Sequence, residues 1–118
     1  VSAGGTAQKA DAQFDKEEPP AYYTPYEQAP EPIRRVAPKY PDPARKTELE
    51  GTVWVRIWVD KQGKARKAVV MKSDAEIFNQ PATDAAMQWI FSPAMMRNGP
   101  VSVWVEIPFN FRLRGTLR

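Results

Sequence analysis

Eight of the chain's twelve prolines fall between Pro19 and Pro43: Pro19, Pro20, Pro25, Pro30, Pro32, Pro38, Pro41 and Pro43. Each proline fixes its own φ, lacks an N–H donor and biases the residue before it towards an extended conformation. A stretch punctuated this densely can form neither a helix of any length nor a central strand. Any packed core must therefore come from the later part of the 118 residues. That part is the size of one small domain.

The same stretch divides the charge. Residues 1–32 hold six acids and two bases, net −4, whereas residues 33–118 hold fifteen bases and eight acids, net +7. The overall +3 averages an acidic arm with a basic domain. Within residues 1–18 only Val1 and Phe14 are large and apolar. So little burial cannot offset a backbone ordering cost of about 1–2 kcal/mol per residue, and a disordered arm is expected. Residues 19–35 (PPAYYTPYEQAPEPIRR) interleave prolines with Tyr22, Tyr23 and Tyr26. They are expected to form a semi-rigid Pro-rich linker, with a reach of roughly 50 Å if fully polyproline. The linker reads as a tether; the alternative is a docking ligand for a proline-binding module. Residues 36–118 make the folded domain.

The chain has no Cys and no His. That removes disulfides, thiolate nucleophiles, the Ser-His-Asp arrangement and the usual zinc and haem ligand sets. The clustered acids Asp74, Glu76 and Asp84 read as loop and cap residues. No enzyme, metal or cofactor is expected. A pI of 9.3 and aromatics beside Arg would suit base stacking. The aromatic–glycine pattern of an RNA-recognition strand is missing, so no nucleic-acid partner is expected. There is no run of 18 apolar residues, hence no expected membrane span. The chain does not begin with Met and reads as a processed or truncated piece.

Downstream, Asp42-Pro43 is a helix start, with Asp42 as cap, and Gly51 a stop. Residues 52–59 (TVWVRIWV) alternate at period two: Val53, Val55, Ile57 and Val59 on one face, Thr52, Trp54, Arg56 and Trp58 on the other. Asp60-Lys61-Gln62-Gly63 is a turn, and residues 64–72 return as the second strand of a hairpin. Lys61, Lys64, Arg66, Lys67 and Lys72 make that hairpin basic. Pro81 opens a second helix whose Ala82, Ala85, Ala86 and Trp89 share a face, and Ser92-Pro93 ends it. Residues 95–100 read as a loop turning at Asn98-Gly99. Residues 101–113 read as a long last strand with Val103, Val105 and Ile107 facing the helices. Pro108 assigns it to an edge or a bulge. The expected fold is α+β and two-layered: a three-stranded antiparallel sheet, one main helix and a short helix, in the order α-β-β-α-β. One helical layer leaves Trp54, Trp58, Trp104 and Arg56 on a second face, read as a satellite cluster or as a contact face for the linker or a second subunit. An open edge strand invites β-augmentation, and proline at Val103 or Val105 would probe whichever N–H faces outward.

Four stretches resemble the TonB C-terminal domain family. They are Pro38-Lys39-Tyr40-Pro41; Glu50-Gly51-Thr52-Val53 with Val59-Asp60-Lys61-Gln62-Gly63-Lys64; Ala85-Ala86-Met87-Gln88-Trp89-Ile90-Phe91-Ser92-Pro93-Ala94; and Asn98-Gly99-Pro100-Val101 with Ile107-Pro108-Phe109-Asn110-Phe111. The resemblance covers about residues 35–113. It implies a periplasmic domain, anchored to the inner membrane through an N-terminal helix absent from this chain and coupled there to ExbB and ExbD. It implies binding of the TonB box of outer-membrane transporters as an added strand, in the service of nutrient uptake. Carried across, the site takes in Arg35, Ala37, Tyr40 and Pro41, and along the last strand Val101, Ser102, Val103, Trp104, Val105, Glu106, Ile107 and Phe109. The segment before the Tyr-Pro pair lacks the Gln that well-known members often carry there. A homodimer through the same edge and a TonB-like adaptor or sensor role are the further expectations.

Overall fold

The computed structural model describes residues 19–22 and 24–113; the arm expected over 1–18 lies outside them. In chain order the elements are β1 (Glu31–Arg34), α1 (Asp42–Lys46), β2 (Gly51–Val59), β3 (Ala65–Ser73), a 3₁₀ turn (Glu76–Phe78), α2 (Asn79–Ala86), β4 (Ile90–Ser92), β5 (Ala94–Met96), β6 (Gly99–Val101) and β7 (Val103–Phe111). The α+β class and the antiparallel three-stranded sheet are as expected, with strand order β3-β2-β7.

The alternation of β2 builds this sheet. Val53, Val55, Ile57 and Val59 are fully buried, facing the helical layer. Burying a side chain of this size contributes about 1.5–3 kcal/mol, so one strand face supplies much of the core. The β2–β3 hairpin closes through Asp60, whose buried carboxylate accepts hydrogen bonds from the N–H groups of Gln62 (2.8 Å) and Lys64 (2.9 Å). Gly63 sits at φ +84°, and a Cβ there would lie 1.8 Å from the Phe91 carbonyl oxygen. Only glycine fits both the conformation and the approach.

The helical layer rests on small residues. Ala82, Ala85 and Ala86 of α2 are buried, which lets the helix sit close to the sheet. Phe78, from the 3₁₀ turn, stacks on Phe111 at 4.2 Å, and Trp89 meets Phe109 edge-on at 5.4 Å. In α1 the N-cap position is Pro41 rather than Asp42; Asp42 is the first helical residue and no side chain caps the helix.

Four short strands replace features read locally as helix or loop. α2 ends at Ala86, and residues 90–92, read as the end of the helix, form β4. β4 pairs antiparallel with β1 in the register Glu31↔Ser92, Pro32↔Phe91, Arg34↔Ile90. The partner strand comes from 56 to 61 residues upstream, and no local pattern announces it. Residues 94–101 form the β5–β6 hairpin, turning at Arg97-Asn98 and entering β6 at Gly99 with φ +131°. Val101 therefore belongs to β6, paired with Ala94, and Ser102 separates it from β7. β1 lies inside the stretch expected to be linker. Upstream of it, Glu27 and Gln28 both donate to the Met95 carbonyl (2.8 and 3.0 Å), and Met95 donates back to Gln28 (2.9 Å).

Candidate functional site

Among the described residues β7 is an edge strand, with β2 on one side only. Which of its backbone groups point outward follows from β2. The Thr52 N–H donates to the Asp74 carboxylate (2.9 Å), and its carbonyl accepts from the Asp74 N–H (3.1 Å). At the far end the Asp60 N–H donates to the Lys64 carbonyl (2.9 Å). Even-numbered residues of β2 thus face β3, and odd-numbered ones face β7. The β2–β7 register is regular from Gly51↔Phe111 to Val59↔Val103. Val103, Val105, Ile107 and Phe109 therefore spend their N–H and C=O groups on β2. Trp104 and Glu106 turn theirs to the free edge, and Pro108 turns out a carbonyl and no donor. Neither Val103 nor Val105 carries an outward N–H, and both side chains pack on or in the core.

The Tyr-Pro segment reaches β7 at its far end. The Tyr40 hydroxyl donates to the Leu49 carbonyl, and the ring packs edge-on against Phe78 (5.7 Å) and Phe111 (5.8 Å). Burial, and after it the Glu50 carboxylate, push the phenol above its ordinary pKa. Ala37 and Pro41 lie along α2 instead, and Arg35 lies past its end. The Arg35 guanidinium stands 5.9 Å from the Trp89 ring, whose indole N–H donates to the Val36 carbonyl (2.9 Å). Trp89 touches Phe109, so Arg35 joins the strand through one intervening ring. Ala37 and Pro41 line a groove of about 350 Å³ with Gln80, Pro81, Asp84 and Gln88. Tyr40 and Phe109 thus gather at one end of β7, and Val101 and Ser102 lie beyond the other.

The outer face of the sheet is not open in the way a single helical layer implies. Trp58 is only 6% exposed, whereas Trp54 remains 40% exposed. The difference is cover: the Arg66 guanidinium lies 5.1 Å over the Trp58 ring, and Trp104 packs 6.4 Å from it, its own indole N–H donating to the Pro20 carbonyl of the linker (2.7 Å). Opposite each other on β2 and β7, Arg56 and Glu106 pair at 2.6 Å. The hydrogen bond to Glu106 holds the Arg56 guanidinium above its ordinary pKa. Their even spacing on the polar faces of two alternating strands was the signal for this pair. Among the described residues, no group of three or more acidic side chains is placed to hold a metal ion, and no helix is long and apolar enough to cross a membrane.

Residues 36–113 match the family model described as Gram-negative bacterial TonB protein C-terminal. Over 82 residues the chain is 40% identical to Protein TonB of Vibrio cholerae serotype O1, covering 69% of this chain and 34% of that protein. It is 34% identical over 82 residues to Protein tonB2 of Pseudomonas aeruginosa, covering 69% of this chain and 30% of that protein. The chain thus spans about a third of the length of these curated relatives. The solution NMR structure of the Pseudomonas aeruginosa TonB CTD superposes with a TM-score of 0.62 at 24% identity, over 75% of this chain and 90% of that one, which supports the fold. On the family match across residues 36–113, the chain belongs to the TonB C-terminal family of Gram-negative bacteria.

Proposed function

We propose that this chain is the periplasmic end of a TonB-type energy transducer and that it grips the TonB box of outer-membrane transporters as an added strand on β7. The observation that carries this reading is the outward N–H and C=O groups of Trp104 and Glu106 on a strand that, among the described residues, has no neighbour on its far side. A strand added there gains main-chain hydrogen bonds, which tolerate varied partner sequences. Such a site needs no nucleophile, metal or cofactor, and none of its residues is asked to do catalysis. In this reading the arm occupies residues 1–18, the linker 19–35 and the binding domain 36–118. An N-terminal membrane helix outside this chain would anchor the protein in the inner membrane beside ExbB and ExbD. The grip would then pass proton-motive energy to transporters of iron chelates, cobalamin or similar nutrients.

Titration of the uniformly ¹⁵N-labelled chain with a synthetic TonB-box peptide tests the site. Amide shifts concentrated in β7, strongest at Trp104 and Glu106, are the expected result. Shifts that map to Lys61, Lys64, Arg66, Lys67 and Lys72 and spare β7 would overturn it.

A further inference from the structure

We propose that the outer face of the β3-β2-β7 sheet is a proline-recognition site, and that its occupant is the chain's own Pro19, Pro20, Ala21 and Tyr22. Those residues share a cavity of about 380 Å³ with Lys67, Val69 and Trp104. The Trp104 indole N–H donates to the Pro20 carbonyl at 2.7 Å, across 84 residues of sequence. The Tyr22 ring meets Trp104 edge-on at 5.8 Å, and the Arg56 guanidinium lies 4.4 Å over the Tyr22 ring. Glu106 holds that guanidinium in place from the next strand.

The chemistry selects a proline ligand. Polyproline chains leave their carbonyls free of internal hydrogen bonds, so an indole donor finds an acceptor that a helix or sheet would already have used. Three residues per turn put positions 19 and 22 of such a chain on one side. Pro20 is half-buried against the sheet, and Tyr22, 72% exposed, meets it through one edge of its ring. Adjacent prolines are already held extended, so little conformational entropy is lost on docking. After Tyr22 the chain turns away: the Thr24 hydroxyl donates to the Ala21 carbonyl at 2.9 Å.

The consequence is mechanical. Among the described residues the linker first meets the domain at Pro19 to Tyr22, over β2 and β7, and not at β1. A pull along the linker enters the sheet whose edge strand is free, and releasing the clasp lengthens the tether without unfolding the domain.

The test uses the whole chain with its four tryptophan indoles ¹⁵N-labelled, the Trp104 signal being the one lost in Trp104→Phe. Replacing the segment (Pro19→Gly, Pro20→Ser, Ala21→Gly, Tyr22→Ser) should shift the Trp104 indole signal and speed its proton exchange at least fivefold, with the amides of β2 and β7 keeping their dispersion. Adding the peptide PPAYYTPY to that variant should restore the signal. Trp104→Phe in the same variant should weaken the peptide by about threefold to tenfold, the effect of one lost hydrogen bond. If the fourfold variant fails to fold, Tyr22→Ala alone gives the same reading, with a twofold to threefold rise in exchange. Equal exchange in parent and variant, or a peptide that moves no outer-face signal, overturns the proposal. An indole signal that varies with protein concentration overturns the assignment to the chain's own segment, because the occupant is then a second copy.

Discussion

Tyr40 ties three parts of the chain together through one side chain. Its ring packs against Phe78 and Phe111, its hydroxyl donates to the Leu49 carbonyl, and the Arg45 guanidinium lies 5.1 Å from its centroid. Tyr40→Phe keeps the ring contacts and removes the hydroxyl. We expect about 0.5–1.5 kcal/mol lower stability at neutral pH, read from urea unfolding. The raised phenol pKa fixes a pH dependence as well. The fold favours the neutral phenol, so its contribution is fully present below the unfolded value of about 10 and is lost as pH rises through the folded value. The parent should lose stability more steeply than the Phe variant above that pH, and parallel curves would count against the role of the hydroxyl. The Tyr40-Pro41 pair is legible in the sequence, but its Leu49 partner is not. Leu49 comes within reach because the chain turns back after α1, with Glu48 in the left-handed region at φ 57°. Nothing in the sequence around Glu48 marks that turn.

At the scale of elements, strands whose register is set by side-chain alternation were readable and strands set by distant partners were not. Val53, Val55, Ile57 and Val59 specify β2 and its buried face, since a slip of one residue would turn them to solvent. Residues 90–92 continue the helical periodicity of Ala82, Ala85, Ala86 and Trp89, yet become β4 because β1 offers a ladder from the linker. The site inherits the same division. Pro108 narrowed β7 to an edge or a bulge, whereas which amides face out required the hydrogen bonds of Thr52 and Asp60. That parity supports a sharp prediction. Glu106→Pro removes an outward donor and leaves the β2 ladder intact, as Pro108 already does two residues on. It should weaken the TonB-box peptide by about threefold to tenfold, measured by calorimetry. Glu106→Ala, which loses the Arg56 ion pair but keeps the N–H, should bind like the parent. Equal losses in the two variants would assign the effect to the ion pair and not to the edge. Val105→Pro, by contrast, breaks a β2–β7 bond and should destabilise the fold itself.

For the whole molecule, the groups that suit a peptide also suit another copy of β7. Among the described residues the edge is protected by Glu106, by Pro108 and by the linker over Trp104, and no strand pairs with its span between Val103 and Ile107 on the side away from β2. Two such edges pairing antiparallel about a two-fold axis would satisfy each other's outward groups. Glu106 and the break at Pro108 recur on both sides of that pairing, so the self-complex should be weaker than the peptide complex, in which only one side carries them. Light scattering at rising concentration should therefore show weak dimerisation that a saturating TonB-box peptide abolishes. Glu106→Pro should reduce dimer and peptide complex together, because both draw on the same N–H. A dimer that persists beside bound peptide would place the self-interface elsewhere, with the half-exposed Trp54 on the uncovered part of the outer face the next surface to test.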